Sequence, residues 1–236
     1  MSKTKKFVVV DVEGYAGVKP YNIGFIVADR NGKIYKKYSF AVLENVSVNI
    51  LQANKTGQAI EMTARNIEEI LKDTGKARRK RKYKSINNSE FKKLFFAVLK
   101  KYKVEKIYAY NSNFDKNSFK HLFETDFEKL DNMVEWIDII PLILRTKLLT
   151  KRYCNFCISN GFVTEKGNIM TKAEIVYKYL KNDLTFEEEH TGLNDVLIEY
   201  EILLEAFKTR KKMDSTPCQA WRELKKFCDE KNIVIA

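Results

Sequence analysis

Apolar residues cluster and alternate through the first forty positions in a way that predicts strands. Phe7-Val8-Val9-Val10 is a β-branched run with the character of a buried strand. Tyr21 to Ala28 predicts a second strand and Asp29-Arg30-Asn31-Gly32 a turn. Ile34, Tyr38, Phe40 and Val42, interrupted by Lys36, then predict one face of a third strand. The three form a meander whose first strand is expected to be central. Further along the period becomes helical. Ile60, Ala64, Ile67 and Leu71 share one predicted helical face, and Phe91, Leu94, Phe95, Val98, Leu99 and Tyr102 form a stronger stripe. Lys106 to Tyr110 predicts a short strand, followed by a helix carrying Phe119, Leu122 and Phe123. Glu135 to Ile139 reads as extended and runs into an apolar helix over 141–149, with Pro141 at a tolerated early position.

The last third is mostly helical in pattern. Thr171-Lys-Ala-Glu174 has the form of a capping box before Ile175, Val176, Tyr179 and Leu180. Another helix starts near Thr191, with Leu193, Val196, Leu197, Tyr200, Leu204 and Phe207 expected to face inward. No repeat and no linker rich in Pro, Gly or Ser interrupts the chain. The expectation is a single α/β domain over 1–210 with a basic insertion at about 74–86, followed by a helical tail over 211–236.

Composition narrows the class. The 236 residues are 44% hydrophobic, enough for a sizeable core. With only 9 Gly and 3 Pro, their combined usage is about half the roughly 12% of an average protein, which argues against collagen-like or turn-dense all-β chains. No apolar run approaches the roughly 18 residues of a membrane span, so no membrane partner is expected. Phe7–Val10 is too short for a signal core, and the expected compartment is the cytoplasm (the host's, were the chain phage-encoded). Four cysteines include Cys154-x-x-Cys157, but Cys218 and Cys228 are not spaced to complete a zinc site, and small apolar fillers are the simplest reading.

Charge points to a partner. The formal net charge is +12, from 43 Lys+Arg against 31 Asp+Glu, a surplus that attracts phosphate backbones or merely solubilises a Lys-rich surface. Lys76-Ala-Arg-Arg-Lys-Arg-Lys-Tyr-Lys84 alone supplies seven of those cations and no acid. Such a run must be exposed. It is either a solvated loop or a grip on a phosphate backbone through Lys76, Arg78, Arg79, Lys80, Arg81 and Lys82.

Three short motifs carry candidate chemistry. Asp11-Val12-Glu13 ends the first strand, where residues i and i+2 share a face about 6–7 Å apart, so the pair is either an incomplete hard-cation site or a solvated strand end. Asp115 follows the fourth predicted strand within Asn111-Ser-Asn-Phe-Asp115, as a helix N-cap or as a site residue at the carboxyl end of a central strand. His190 and Asp195 bracket a helix start in His190-Thr-Gly-Leu-Asn-Asp195, where a carboxylate gains from the helix dipole and a histidine can exchange a proton near neutral pH. Each motif alone is also explained by capping and surface chemistry.

Taken in order, these motifs resemble the DEDDh group of DnaQ-like 3′→5′ exonucleases, over roughly residues 5–208. Asn22-Ile-Gly24, Trp136-Ile-Asp138 and the 173–180 helix agree with that pattern, and the four residues between His190 and Asp195 favour the histidine branch of the family. The resemblance implies a ribonuclease H-like fold, a mixed central sheet of a three-stranded antiparallel meander plus parallel strands, flanked by helices. It further implies two divalent cations, Mg²⁺ or Mn²⁺, with Asp11 bridging both, Glu13 and Asp195 completing one site, and Asp115 supporting the other. His190 would act as general base, and Tyr15 either stacks on the terminal base or packs in the core. The implied substrate is a single-stranded or 3′-ended DNA or RNA. The implied protein partner is a polymerase or another replication or RNA-processing factor. The chain departs from the family in having Gly14 and Tyr15 after the D-x-E, Asn22 where an acid is frequent, and the basic insertion. A binding module without catalysis and an endonuclease of the same fold share these features.

Overall fold

The structure, a computed structural model, describes residues 4–15, 17–56, 60–74, 76, 82–209 and 213–235. Six strands form one mixed sheet: β1 Lys6–Glu13, β2 Asn22–Asp29, β3 Ile34–Ala41, β4 Lys84–Ser85, β5 Lys106–Ala109 and β6 Glu135–Asp138. Their spatial order is β4-β3-β2-β1-β5-β6, which puts β1 in the interior as expected. The β1–β2 and β2–β3 pairs are antiparallel, whereas β1–β5 and β3–β4 are parallel. The helices are α1 Val46–Thr56, α2 Ile60–Thr74, α3 Asn88–Tyr102, α4 Ser112–Phe123, α5 Phe127–Met133, α6 Ile139–Ile143, α7 Lys151–Ser159, α8 Ala173–Lys181, α9 Gly192–Phe207 and α10 Ala220–Glu230. None of the described helices is long and apolar enough to cross a membrane.

Contacts divide the chain into two compact units, Met1–Ile137 with Glu189–Leu197, and Asp138–Glu188 with Ile198–Ala236. In the first, one face of the sheet carries Val8, Val10, Val12, Ile23, Phe25, Val27 and Phe40 against Phe91, Phe95, Val98 and Leu99 of α3 and Phe119, Leu122 and Phe123 of α4. The aromatic rings interlock, with Phe95 edge-on to Phe25 and to Phe119 at 5.2 Å each. Burying a side chain of this size stabilises the fold by about 1.5–3 kcal/mol. The α3 stripe thus does what its period predicts. The helix starts in a capping box, where the Asn87 side chain accepts from Glu90 N and Glu90 accepts from Asn87 N.

Three details of the sequence reading need correction. The β2–β3 register shifts between Val27 and Ala28, leaving Tyr35 as an extra residue on β3. A bulge of this kind inverts the alternation beyond it. Tyr35, not Ile34, therefore joins Tyr38 against the core. On α2, Leu71 is 50% exposed and Ile70 takes the buried place beside Ile67, since positions three apart share a helix face as well as positions four apart do. The side chains of Ile60 and Ala64 lie outside the described residues. Before α8, the N-cap position falls on Lys172, one residue later than the Thr171 expected there, and the Lys172 side chain makes no cap bond.

In the second unit, the apolar run predicted over 141–149 forms α6 and then a π-helical turn, Leu144–Leu148. Arg145 in that turn pairs with Glu223 at 2.8 Å and Asp214 at 3.0 Å, and donates to Thr216 O at 2.9 Å, tying down the segment that ends in α10. Cys154, Cys157 and Cys228 are buried free thiols, and the Cys228 and Cys154 sulfurs are 3.4 Å apart. Burial, reinforced by Cys228, pushes the Cys154 thiol up to about 12. It packs as a small hydrophobe.

Candidate metal centre

Strand alternation sends Asp11 and Glu13 to one side of β1, both half-buried, while Val12 between them points into the core. Opposite Asp11 on β2 stands Gly24, and opposite Glu13 stands Asn22. These two partners seat the start of α9. A Cβ on Gly24 would lie 2.0 Å from the Gly192 carbonyl carbon, and one on Gly192 would lie 2.6 Å from the Gly24 nitrogen. The two backbones touch, which requires glycine at both places. Asn22 completes the joint from a buried position: its Oδ1 accepts from Gly192 N at 2.9 Å and its Nδ2 donates to Phe40 O at 2.8 Å. The first turn of α9 closes with Asp195 N donating to Thr191 O at 3.0 Å. Its dipole end favours the buried Asp195 carboxylate. One oxygen each from Asp11, Glu13 and Asp195 lies within 4.8 Å of the other two.

Asp115 reaches the same strand from its other edge. It lies inside the first turn of α4 and is 2% exposed, and Asn111, with φ of 62°, occupies the N-cap position instead. β5 ends at Ala109, so the amide of Val12 extends past the end of the neighbouring strand. A buried amide must find an acceptor. Asp115 Oδ1 supplies it at 3.2 Å. His190 stands in the turn that leads into α9, half-buried and with φ of 51°. The structure thus brings Asp11, Glu13 and Asp195 into one cluster, sets Asp115 against the backbone between the first two, and places His190 two residues before the Gly192 contact.

The remaining expected site residues are more scattered. Tyr15 is two residues beyond Glu13, and its amide donates to Asn49 Oδ1 at 2.9 Å. Arg78, Arg79, Lys80 and Arg81 lie outside the described residues. The flanking Lys76 and Lys82 are paired, with Asp73 at 3.2 Å and Glu69 at 2.9 Å. Asp73 gathers both ends of the basic segment, since its buried carboxylate also accepts from Tyr83 N at 3.0 Å. Burial pushes this carboxyl up, but the Tyr83 and Lys82 amides and the Lys76 ammonium outweigh it and hold it below its ordinary value. A folded-state value below the unfolded one stabilises the fold above the unfolded value and is lost as pH falls through the folded one. Thermal unfolding between pH 3 and 7 is therefore expected to show a loss of stability below about pH 4 that Asp73→Asn blunts. Asp73→Ala is expected to cost about 1–3 kcal/mol at neutral pH, because the Tyr83 amide loses its acceptor in a buried place.

An all-oxygen, carboxylate donor set is what Mg²⁺ and Mn²⁺ take. Asp11 Oδ2 and Asp195 Oδ1 are buried oxygens that receive no hydrogen bond among the described residues. Three carboxylates this close repel one another strongly in a partly buried place, and a bound cation offsets that repulsion. The cluster could therefore hold a divalent cation. The sequence motifs contain the acids of this cluster, with Asn22, Gly24 and Gly192 beside them, but carry no sign that Gly24 meets Gly192 or that Asn22 joins the two. No protein-family model matches the chain, and no curated protein matches it at a significant level.

Proposed function

We propose that this chain is a metal-dependent 3′→5′ exonuclease with a ribonuclease H-like fold. The observation that carries the reading is the convergence of Asp11, Glu13 and Asp195 from a central strand and a helix start, with Asp115 bonded to the strand between the first two. A mixed sheet whose interior strand carries the first two acids, and a net charge of +12, support a site working on nucleic-acid ends.

Under this reading Asp11, Glu13, Asp115 and Asp195 would hold two divalent cations, Mg²⁺ or Mn²⁺. When bound, these would supply Lewis acidity toward the attacking water, charge neutralisation at the phosphate, and support for the leaving oxygen. His190 takes one proton from the attacking water, whose oxygen forms a bond to the terminal phosphorus. The bond from that phosphorus to the 3′ oxygen of the preceding nucleotide breaks, and that oxygen takes up a proton. The products are a nucleoside 5′-monophosphate and a strand one nucleotide shorter with a new 3′ hydroxyl. Basic side chains position the phosphate backbone, which carries no choice between DNA and RNA.

The test is a panel of single- and double-stranded DNA and RNA with free or blocked 3′ ends, incubated with Mg²⁺, Mn²⁺ or chelator. Stepwise shortening from free 3′ ends, dependent on metal, is the expected result. Cleavage of circular or 3′-blocked substrates would instead assign an endonuclease. Stable binding with no cleavage under any metal would make the chain a nucleic-acid-binding module.

A further inference from the structure

The loop that leaves β1 after Glu13 is tied to α1 by the Asn49 side chain. Asn49 of α1 is fully buried. Its Oδ1 accepts from Tyr15 N at 2.9 Å, and its Nδ2 donates to Lys19 O and to Asn45 O, each at 2.8 Å. One acceptor facing an amide and two donors facing carbonyls leave the orientation of the amide unambiguous. Two of these bonds leave the helix, and they hold the two ends of segment 15–19. One turn earlier Asn45, also buried, repeats the pattern, with Nδ2 donating to Pro20 O at 2.8 Å. Around the clip the backbone is tight. A Cβ on Gly14 would lie 3.1 Å from Pro20 Cα and 3.3 Å from Asn49 Oδ1, and Glu13 O accepts from Tyr21 N at 2.9 Å.

These bonds act on the residues next to the metal ligand. Glu13 is the last residue of β1, so the direction of its carboxylate depends on the backbone that follows it. That backbone is anchored on the β2 side by Tyr21 and on the α1 side by Asn49. We propose that Asn49 is a positioning residue of the Asp11–Glu13–Asp195 centre, holding the Gly14–Tyr15 backbone so that the Glu13 carboxylate stays in register with Asp195. The proposal rests on the reading of that cluster as a metal centre. Supporting groups one layer behind metal ligands change affinity by about 10–100-fold when removed.

The experiment measures Mn²⁺ binding to the full chain, by calorimetry and by the electron paramagnetic resonance of the bound ion, together with amide exchange at Tyr15. Asn49→Ala is expected to speed exchange at Tyr15 and to weaken Mn²⁺ binding about tenfold or more. Asn49→Ser separates the loop bonds from the helix, because a serine hydroxyl in a helix bonds back to the carbonyl four residues earlier, here that of Asn45. It is expected to keep the fold and show the same weakening, and it serves if the alanine variant does not fold. A purely structural role lowers the melting temperature and leaves Mn²⁺ affinity alone. Faster exchange at Tyr15 in a folded variant whose Mn²⁺ affinity stays within about twofold of the parent's would overturn the proposal and spare the metal centre. A parent chain that binds no Mn²⁺ would overturn both.

Discussion

Gly24→Ala is expected to lower stability by roughly 3 kcal/mol or more and to weaken divalent-cation binding together with it. The added methyl would sit 2.0 Å from the Gly192 carbonyl carbon and 2.2 Å from Leu193 N. Those are backbone atoms of a helix start, and no rotamer change relieves the overlap. Either β2 or the first turn of α9 must move. The bond from Gly192 N to Asn22 Oδ1 would break with that motion, and Asp195 would leave Asp11 and Glu13. At about 2–4 °C per kcal/mol for a chain of this size, the melting temperature should fall by about 6–12 °C. Gly192→Ala should reproduce both effects. Gly161→Ala is the control: its φ is 73° with open space around a Cβ, so it should cost only about 1–2 kcal/mol and leave cation binding intact. Equal cation affinity in Gly24→Ala and the parent would show that this contact does not assemble the centre.

The glycine contact also marks where sequence reading stops. Alternation along β1 was enough to place Asp11 and Glu13 on one face, since the period of a strand is a local property. The meeting of Gly24 with Gly192 is a tertiary property, and a glycine in a strand or at a helix start looks the same whether it touches a neighbour or faces water. The bulge at Tyr35 and the phase of α2 were hidden for a related reason: one inserted residue, or a rotation of one position, changes the buried face without changing composition. α1 was missed altogether. Val46, Val48 and Ile50 alternate as in a strand, yet Val48 and Ile50 are exposed, and Val46 is buried together with Asn49 and with Asn45 just before the helix. Those asparagines are buried because the loop's backbone groups satisfy them, a pairing that hydrophobic periodicity does not register. Asp115 was legible as a residue near a helix start. Its true partner, the Val12 amide, depends on β5 ending short of β1.

Asp11→Asn is expected to reverse its rank with the parent when metal is added. With chelator present, Asp11, Glu13 and Asp195 repel one another; two unit charges 4 Å apart at an effective dielectric of 20 interact by about 4 kcal/mol. Neutralising one of them relieves part of that, so the variant should melt at the parent's temperature or above it. With Mn²⁺ at about a hundred times its dissociation constant, the parent should gain about 2.7 kcal/mol, because the ion binds the folded chain and not the unfolded one. That is a rise of about 5–11 °C. The variant lacks one of the three clustered carboxylates and should gain little, so the order inverts. Shortening of 3′-ended strands, if the chain performs it, should fall in the variant by at least about a thousandfold while the fold persists. Acids that merely cap α9 or end β1 in solvent would show no such crossing, because Mn²⁺ would then leave the melting temperature of both proteins where chelator had it. The crossing is a thermodynamic readout of the cluster itself, independent of which nucleic acid is cut, and it therefore separates a failed metal centre from a wrongly chosen substrate.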